Sequence, residues 1–132
     1  MANLTNKEIV AGFFEIYNTK DYEAIHKYVA PDYIDHGLPL QSAEAAIKIL
    51  KLTHKSFPDI HVVIDELIEE NNKVVFRGRF SATHLGEFVG IEPTGAKVEF
   101  EALEIFKIEN QKITESWGYW PLSTIINQIR GS

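Results

Sequence analysis

Glu104 is the residue whose surroundings most invite chemistry. It interrupts the row Val98, Phe100, Ala102, Glu104, Phe106 and Ile108, in which every second position is otherwise apolar. In an extended chain alternate residues share one face, so this spacing carries a carboxylate into apolar surroundings. A carboxylate there must find a partner, take up a proton, or border a wet cavity. A carboxyl with a raised pKa suits general acid or base work near neutral pH. The plainer reading is a core glutamate hydrogen-bonded to a tyrosine, tryptophan or histidine. Two histidines stand where proton relay is conceivable: His36, beside Asp35 in the segment Asp32-Tyr-Ile-Asp-His-Gly-Leu-Pro39, and His84, beside Thr83 at a strand end. Both are placed at the pocket rim, where an imidazole near a carboxylate moves protons. His54 falls on an apolar helical stripe and reads as core, His26 as solvent-facing, and His61 as uninformative. No metal-ligand spacing links the histidines, and there is no cysteine.

The elements that must position these residues are legible. Thr5-Asn-Lys-Glu8 is a capping box opening a helix with the apolar stripe Ile9, Val10, Phe13, Phe14 and Tyr17. Asp21 caps a second, shorter helix carrying Tyr22, Ile25, Tyr28 and Val29, which Pro31 stops; the segment 32–39 then reads as irregular. Ser42 caps a third helix with the stripe Ala43, Ile47, Leu50, His54 and Phe57, closed by Pro58. From residue 60 the period changes to two, giving strands near 60–70, 73–84, 97–109 and 112–120, then a short helix near Leu122–Ile129. Asn71-Asn72 and Asn110-Gln111 fit two-residue hairpin turns, because asparagine tolerates left-handed backbone. Helices first and a meander afterwards predict one α+β domain over 1–132, its helices on one sheet face.

Counting outward from the turns gives a register. Across Asn110-Gln111, Glu109 faces Lys112, which sets Phe106 against Glu115, Glu104 against Trp117 and Ala102 against Tyr119. Across Asn71-Asn72, Leu67 faces Phe76, Glu66 faces Arg77 in an outer salt bridge, and Asp65 faces Gly78 and points inward. The expected pocket therefore gathers Glu104, Trp117, Tyr119 and Asp65. The rings of Phe14, Tyr17, Tyr33, Phe57, Phe76 and Phe106 complete its lining. An apolar cavity with a few converging polar groups is the usual form of a ligand site.

Composition narrows the classes. Hydrophobic residues at 45% support a core, and the net charge of −6 argues against binding a nucleic-acid backbone. No apolar run suits a membrane span or a leader, so a cytoplasmic location is expected. P-loop, dinucleotide-binding, nucleophile-elbow and zinc motifs are absent, and no cofactor is expected.

Four stretches carry a family resemblance: Asp32–Pro39, Phe57-Pro-Asp-Ile60, Ala82-Thr-His-Leu-Gly-Glu-Phe-Val-Gly-Ile-Glu-Pro-Thr-Gly95, and Ile113-Thr-Glu-Ser-Trp117. Together they resemble the SnoaL-like polyketide cyclases of the nuclear transport factor two-like superfamily. The resemblance implies a cone-shaped α+β barrel, with a curved, mostly antiparallel sheet whose concave face three N-terminal helices cover. It also implies a homodimer through the outer sheet face, which Leu103 and Ile105 would suit, and cofactor-free acid–base chemistry on a small hydrophobic molecule. In the cyclases a pocket acid lies four positions after the strand tryptophan and drives an intramolecular aldol closure. Here that position is Pro121, which cannot move a proton. Three readings follow. One is an enzyme using Glu104 with His36 or His84, another a pocket that binds a hydrophobic ligand unchanged, and a third an adaptor with a filled interior.

Overall fold

The structure, a computed structural model of the chain, describes residues 3–38 and 40–131, so Pro39 of the 32–39 segment lies outside the described residues. It contains helix α1 (Asn6–Thr19), a 3₁₀ turn (Tyr22–Ala24) running into α2 (Ile25–Tyr28), strands β1 (Val29–Asp35) and β2 (Leu40–Gln41), and helix α3 (Ala43–Ser56). Strands β3 (His61–Glu70), β4 (Lys73–Thr83), β5 (Lys97–Glu109) and β6 (Lys112–Gly118) follow, then helix α4 (Leu122–Arg130). The strands form one unclosed sheet in the order β2-β1-β6-β5-β4-β3, antiparallel except where β1 lies parallel to β6. The α+β class, the curved and mostly antiparallel sheet, and helices packed against it agree with the expectation.

Local chemistry explains the ends of the elements. The Thr5 hydroxyl accepts from the Glu8 amide while the Glu8 carboxylate accepts from Thr5 N–H, closing the capping box. Two side chains fasten α1 to the rest. Asn18 brackets the backbone of Val62, donating to its carbonyl at 3.1 Å and accepting from its amide at 2.8 Å. Buried His54 on α3 donates from Nε2 to the Tyr17 carbonyl at 2.8 Å and meets the Tyr22 hydroxyl through Nδ1 at 3.0 Å. The core histidine reading therefore holds, and its bonds set the C-terminal turn of α1. At the other end of the chain, Gln128 on α4 pairs with both backbone groups of Glu99 at 2.8 and 2.9 Å.

The second helix is shorter than expected. It ends at Tyr28, and Val29–Asp35, read as helix end and irregular segment, is a strand. The residue before a proline avoids the helical region, so Pro31 pushes Ala30 into extended backbone. The pairing of β1 with β6 shifts between Val29 and Ile34, and a proline, with no N–H for the ladder, is accommodated in such an irregularity.

Both hairpin turns lie where predicted, with Glu70 opposite Lys73 and Glu109 opposite Lys112. Beyond each turn, however, a bulge moves the register by one residue, and a one-residue slip reverses which face a side chain occupies. In β6 the pairing passes from Ile113–Ile108 to Glu115–Lys107, leaving Thr114 as the extra residue. Glu104 consequently faces Gly118, Phe106 faces Ser116, and Trp117 faces Ile105 on the outer surface. In β3 the shift between Ile64 and Glu66 turns Asp65 outward, where it accepts two hydrogen bonds from Arg79, each 2.9 Å. The expected Glu66–Arg77 bridge forms at 2.9 Å.

Gly118 is the residue that admits Glu104 at this register. A Cβ built on Gly118 would lie 2.3 Å from Glu104 Cγ, closer than carbon atoms tolerate. Gly118→Ala is therefore expected to cost about 1–3 kcal/mol, the usual penalty of overpacking. In a Glu104→Ala background the same substitution should cost much less. Urea unfolding of the four proteins in this cycle measures the coupling, and strictly additive losses would remove Glu104 from contact with Gly118.

Candidate functional site

The inward face of β5 is apolar on either side of Glu104: Val98, Phe100, Ala102, Phe106 and Ile108 are buried, matching the row read from the sequence. Phe76 on β4 and Gly118 on β6 flank Glu104 in the ladder. Above them Phe14 of α1 stacks on Phe76 with centroids 3.7 Å apart and meets the edge of Phe106 at 5.5 Å. Phe14, Phe76 and Phe106, expected as lining, have no exposed surface and form a solid wall. Tyr17 lies one turn further along α1, against Phe80 at 5.3 Å and Trp120 at 6.2 Å. Glu104 and Tyr17 differ from the wall in keeping some accessible surface. Among the described residues neither the Glu104 carboxyl nor the Tyr17 hydroxyl has a hydrogen-bond partner.

Electrostatics follows from this packing. Burial, and then the nearby Asp35 carboxylate, push the Glu104 carboxyl up to about 8. Burial also raises the Tyr17 phenol well above its ordinary value, with Glu104, Tyr33 and Asp35 adding to the effect. Tyr33 is raised for the same first reason and then by Asp35; its hydroxyl is engaged with Ser116 Oγ at 2.5 Å. Asp35, at the end of β1, is raised by burial, although Gly37 N–H at 2.9 Å and the Leu38 amide favour its anion. Glu104, Asp35, Tyr17 and Tyr33 are thus one coupled acidic group, contributed by β5, β1 and α1.

Several expected members stand elsewhere. Trp117 is on the outer face, stacked on His36 with centroids 4.9 Å apart and with Lys73 Nζ 5.7 Å from its ring. His36 is exposed and bound to Glu115 Oε1 at 2.9 Å, so it faces away from Glu104. Tyr119 is 72% exposed; beyond the bulge it is Trp120 that turns inward, 4.8 Å from Phe100 and 5.0 Å from Phe80. Asp65 is paired with Arg79 on the outside. His84, placed at a rim by sequence, is fully buried. Its Nδ1 accepts from Thr94 N–H at 3.2 Å and its ring packs 5.9 Å from Phe57. Glu104 lies opposite Phe76, eight residues along β4 from His84, a span of roughly 25 Å at strand rise. Glu104, His36 and His84 therefore cannot meet on one bond.

Sequence reasoning missed Asp35, Ser116 and Trp120 as neighbours of the site. The alternation of Tyr33 and Asp35 was the available signal for β1. Two open surface clefts, of about 410 Å³ beside Gly12 and Lys27 and about 550 Å³ beside Asp32 and Glu109, lie away from Glu104. Among the described residues no cluster of three or more histidine or carboxylate side chains is arranged for a metal, and no helix is long and apolar enough to cross a membrane.

Comparison with known structures places this architecture. IdmH, a candidate polyketide cyclase from Streptomyces antibioticus, is 24% identical, with TM-score 0.85 over 96% of this chain and 99% of that one. AclR from Streptomyces galilaeus, a candidate hydroxylase, is also 24% identical, with TM-score 0.84 over 96% of this chain and 82% of its own. A candidate polyketide cyclase from Bacillus cereus is 27% identical, with TM-score 0.81 over 96% of this chain and 85% of that one. No curated protein matches. The SnoaL-like polyketide cyclase family matches residues 7–129, nearly the whole length. With the cone-like sheet, its helices and the polyketide cyclase neighbours in agreement, the chain belongs to the SnoaL-like polyketide cyclase family.

Proposed function

We propose that this chain is a cytoplasmic, cofactor-independent acid–base enzyme acting on a small, largely apolar carbonyl compound, with Glu104 as its proton-handling group. The observation that carries this reading is an inward carboxyl with no hydrogen-bond partner among the described residues, flanked by rings, which burial pushes up to about 8. Such a group donates or accepts a proton close to physiological pH, where an ordinary glutamate would be fully ionised. Glu104 and Tyr17 each keep some accessible surface, the route by which such a compound would reach them. Family membership supports a polyketide-like substrate, and with one neighbour named a candidate cyclase and another a candidate hydroxylase, the reaction has to be read from the site. Pro121, at the position of the family's acid, precedes α4 as its N-cap and has no proton to give. Glu104 supplies an acid from β5 instead. Glu104→Gln keeps the shape and should lower turnover of any accepted substrate by 10²-fold or more; undiminished turnover removes Glu104 from the chemistry, and a ligand recovered chemically unaltered favours the binding reading.

A titration of stability tests the electrostatic premise without a substrate. Because the folded-state pKa is near 8 against an ordinary 4.5, the folded protein holds a proton that the unfolded chain releases. The stabilisation is complete below the unfolded value and is lost as pH rises through 8. At roughly 1.4 kcal/mol per pKa unit, a few kcal/mol should disappear between pH 5 and 9. Glu104→Gln should flatten this fall, making the variant the more stable protein at the alkaline end. Parallel wild-type and variant curves in guanidinium unfolding would contradict it.

The outer sheet face supports a homodimer. Leu103 is 57% and Ile105 40% exposed, beside a charged network in which Arg77 bridges Glu66 and Glu101. An exposed apolar row with both charge signs around it is self-complementary under a two-fold axis. Leu103→Glu should convert a dimer into a monomer in sedimentation velocity with the fold intact. A wild-type protein that sediments as a monomer at high concentration rules the dimer out.

A further inference from the structure

We propose that the exposed face of α3, with the 85–91 loop fastened to its C-terminal end, is a docking surface for an acidic amphipathic helix of a partner protein. The proposal is independent of the reading of Glu104.

Charge sets this face apart. The chain carries a net charge of −6, yet residues 45–58 contain no aspartate or glutamate and hold Lys48, Lys51 and Lys55. Positions three, four and seven apart share one side of a helix, and all three lysines are exposed. Cations of the sheet are neutralised within the fold: Arg77 by Glu66, Arg79 by Asp65 and Lys107 by Glu115. Among the described residues, by contrast, Lys48 and Lys55 meet no carboxylate, and Lys51 meets only the ring of Tyr22 at 5.5 Å. The carboxylates at the ends of α3 are engaged elsewhere. Glu44 binds His26 at 3.2 Å, Asp59 binds Thr83, and Glu87 accepts the Gly90 N–H at 3.2 Å. Glu92, exposed past the loop, bounds the basic surface on that side.

Apolar groups accompany the lysines. Leu52 lies on the same helix face and is exposed. One turn later, the Ser56 carbonyl accepts the N–H groups of Leu85 and Gly86 at 3.0 and 3.1 Å, and its hydroxyl donates to the Glu87 carbonyl at 2.6 Å. A Cβ on Gly86 would fall 2.0 Å from the Lys55 carbonyl oxygen, so glycine lets the loop touch the helix. Phe88 packs on Phe57 at 5.1 Å. These contacts hold the loop against the end of α3 and leave Leu85 exposed there.

The loop tip breaks a local rule. Phe88 and Ile91 exchange backbone hydrogen bonds of 3.0 and 2.8 Å around Val89 and Gly90, whose φ angles are 43° and 84°. A two-residue turn with positive φ at both positions favours Asn-Gly, and a β-branched residue is strained there. Val89 is 57% exposed, so packing within the chain does not repay the strain. A strained residue from which the fold gains nothing points to a contact made outside it.

The occupant follows from these groups. A helix with carboxylates three and four residues apart matches the lysines, and an apolar residue between them covers Leu52. An anionic bilayer fits less well, because three lysines attract it weakly and the net charge of −6 opposes a charged plane. The same imbalance disfavours a nucleic-acid backbone.

The probe is a synthetic helical peptide of about 15 residues, with glutamates at i, i+3 and i+7 and a leucine at i+4. Its addition to ¹⁵N-labelled protein should shift amides of α3 and the 85–91 loop, with an affinity that falls at least tenfold as salt is raised. Lys48→Glu combined with Lys55→Glu removes no contact within the fold and should weaken binding at least tenfold. Val89→Asn should weaken binding several-fold while raising the urea midpoint of the free protein, which separates docking from folding. Shifts confined to other elements, equal binding of a peptide with lysine in place of glutamate, or unchanged affinity in both variants would overturn the proposal. So would tighter binding to phosphatidylglycerol vesicles or duplex DNA than to the peptide. Concentration-dependent shifts of the same amides without peptide would overturn it in favour of a second copy of this chain.

Discussion

The structure turns on one unfavourable placement: a glutamate side chain laid over the backbone of Gly118, among rings, with no hydrogen-bond donor among the described residues to meet it. Moving a carboxylate away from water without compensation is costly, and the chain compensates only by leaving the proton on. Everything that surrounds Glu104 bears on that proton. Phe76 and Phe14 exclude water from one side, the absence of a side chain at Gly118 makes room on another, and Asp35 adds a second negative charge. A structural protein has little use for such a group, since an apolar residue of similar size would pack there more favourably. That contrast is what separates the enzyme reading from an adaptor with a filled interior.

The helices serve this placement more than they serve a cavity in the ordinary sense. Much of the space between α1 and the sheet is filled by rings in contact, from Phe14 and Phe76 to Phe80, Phe100 and Trp120. Close-packed aromatic walls fix the positions of the few polar groups among them. Tyr17 illustrates the consequence. Its carbonyl is tied to His54 and its ring packs against Phe80, so its position is held from both ends.

How much of this was readable beforehand depends on whether the determining feature leaves a mark in sequence. Capping residues do, so α1 and α3 were legible from Thr5-Asn-Lys-Glu8 and Ser42. Turn residues do, and Asn71 and Asn110 fall in the left-handed backbone their positions required. The inward face of β5, including Glu104, follows from strict alternation. A bulge leaves no such mark, because an extra residue changes neither composition nor the visible period nearby. The bulge at Thr114 therefore exchanged Trp117 and Tyr119 for Ser116, Gly118 and Trp120, and the one near Asp65 turned an expected pocket acid into a partner of Arg79. His84 was misplaced differently. Proximity in a motif says nothing about distance along a strand, and eight residues of β4 separate it from the position opposite Glu104.

Those bulges also explain how one face can specialise. Had β6 continued in simple register, Glu104 would face the indole of Trp117, a ring whose N–H could satisfy it and lower its pKa. The extra residue sets glycine there instead and sends the indole outward to stack on His36. In β3 the same device removes Asp65 from the interior and neutralises it with a guanidinium. Sorting of this kind leaves β1 and β5 as the strands whose carboxyls, Asp35 and Glu104, enter the coupled group with Tyr17 and Tyr33. The carboxyls of this group come from the strands of the sheet, whereas the position before α4 holds Pro121.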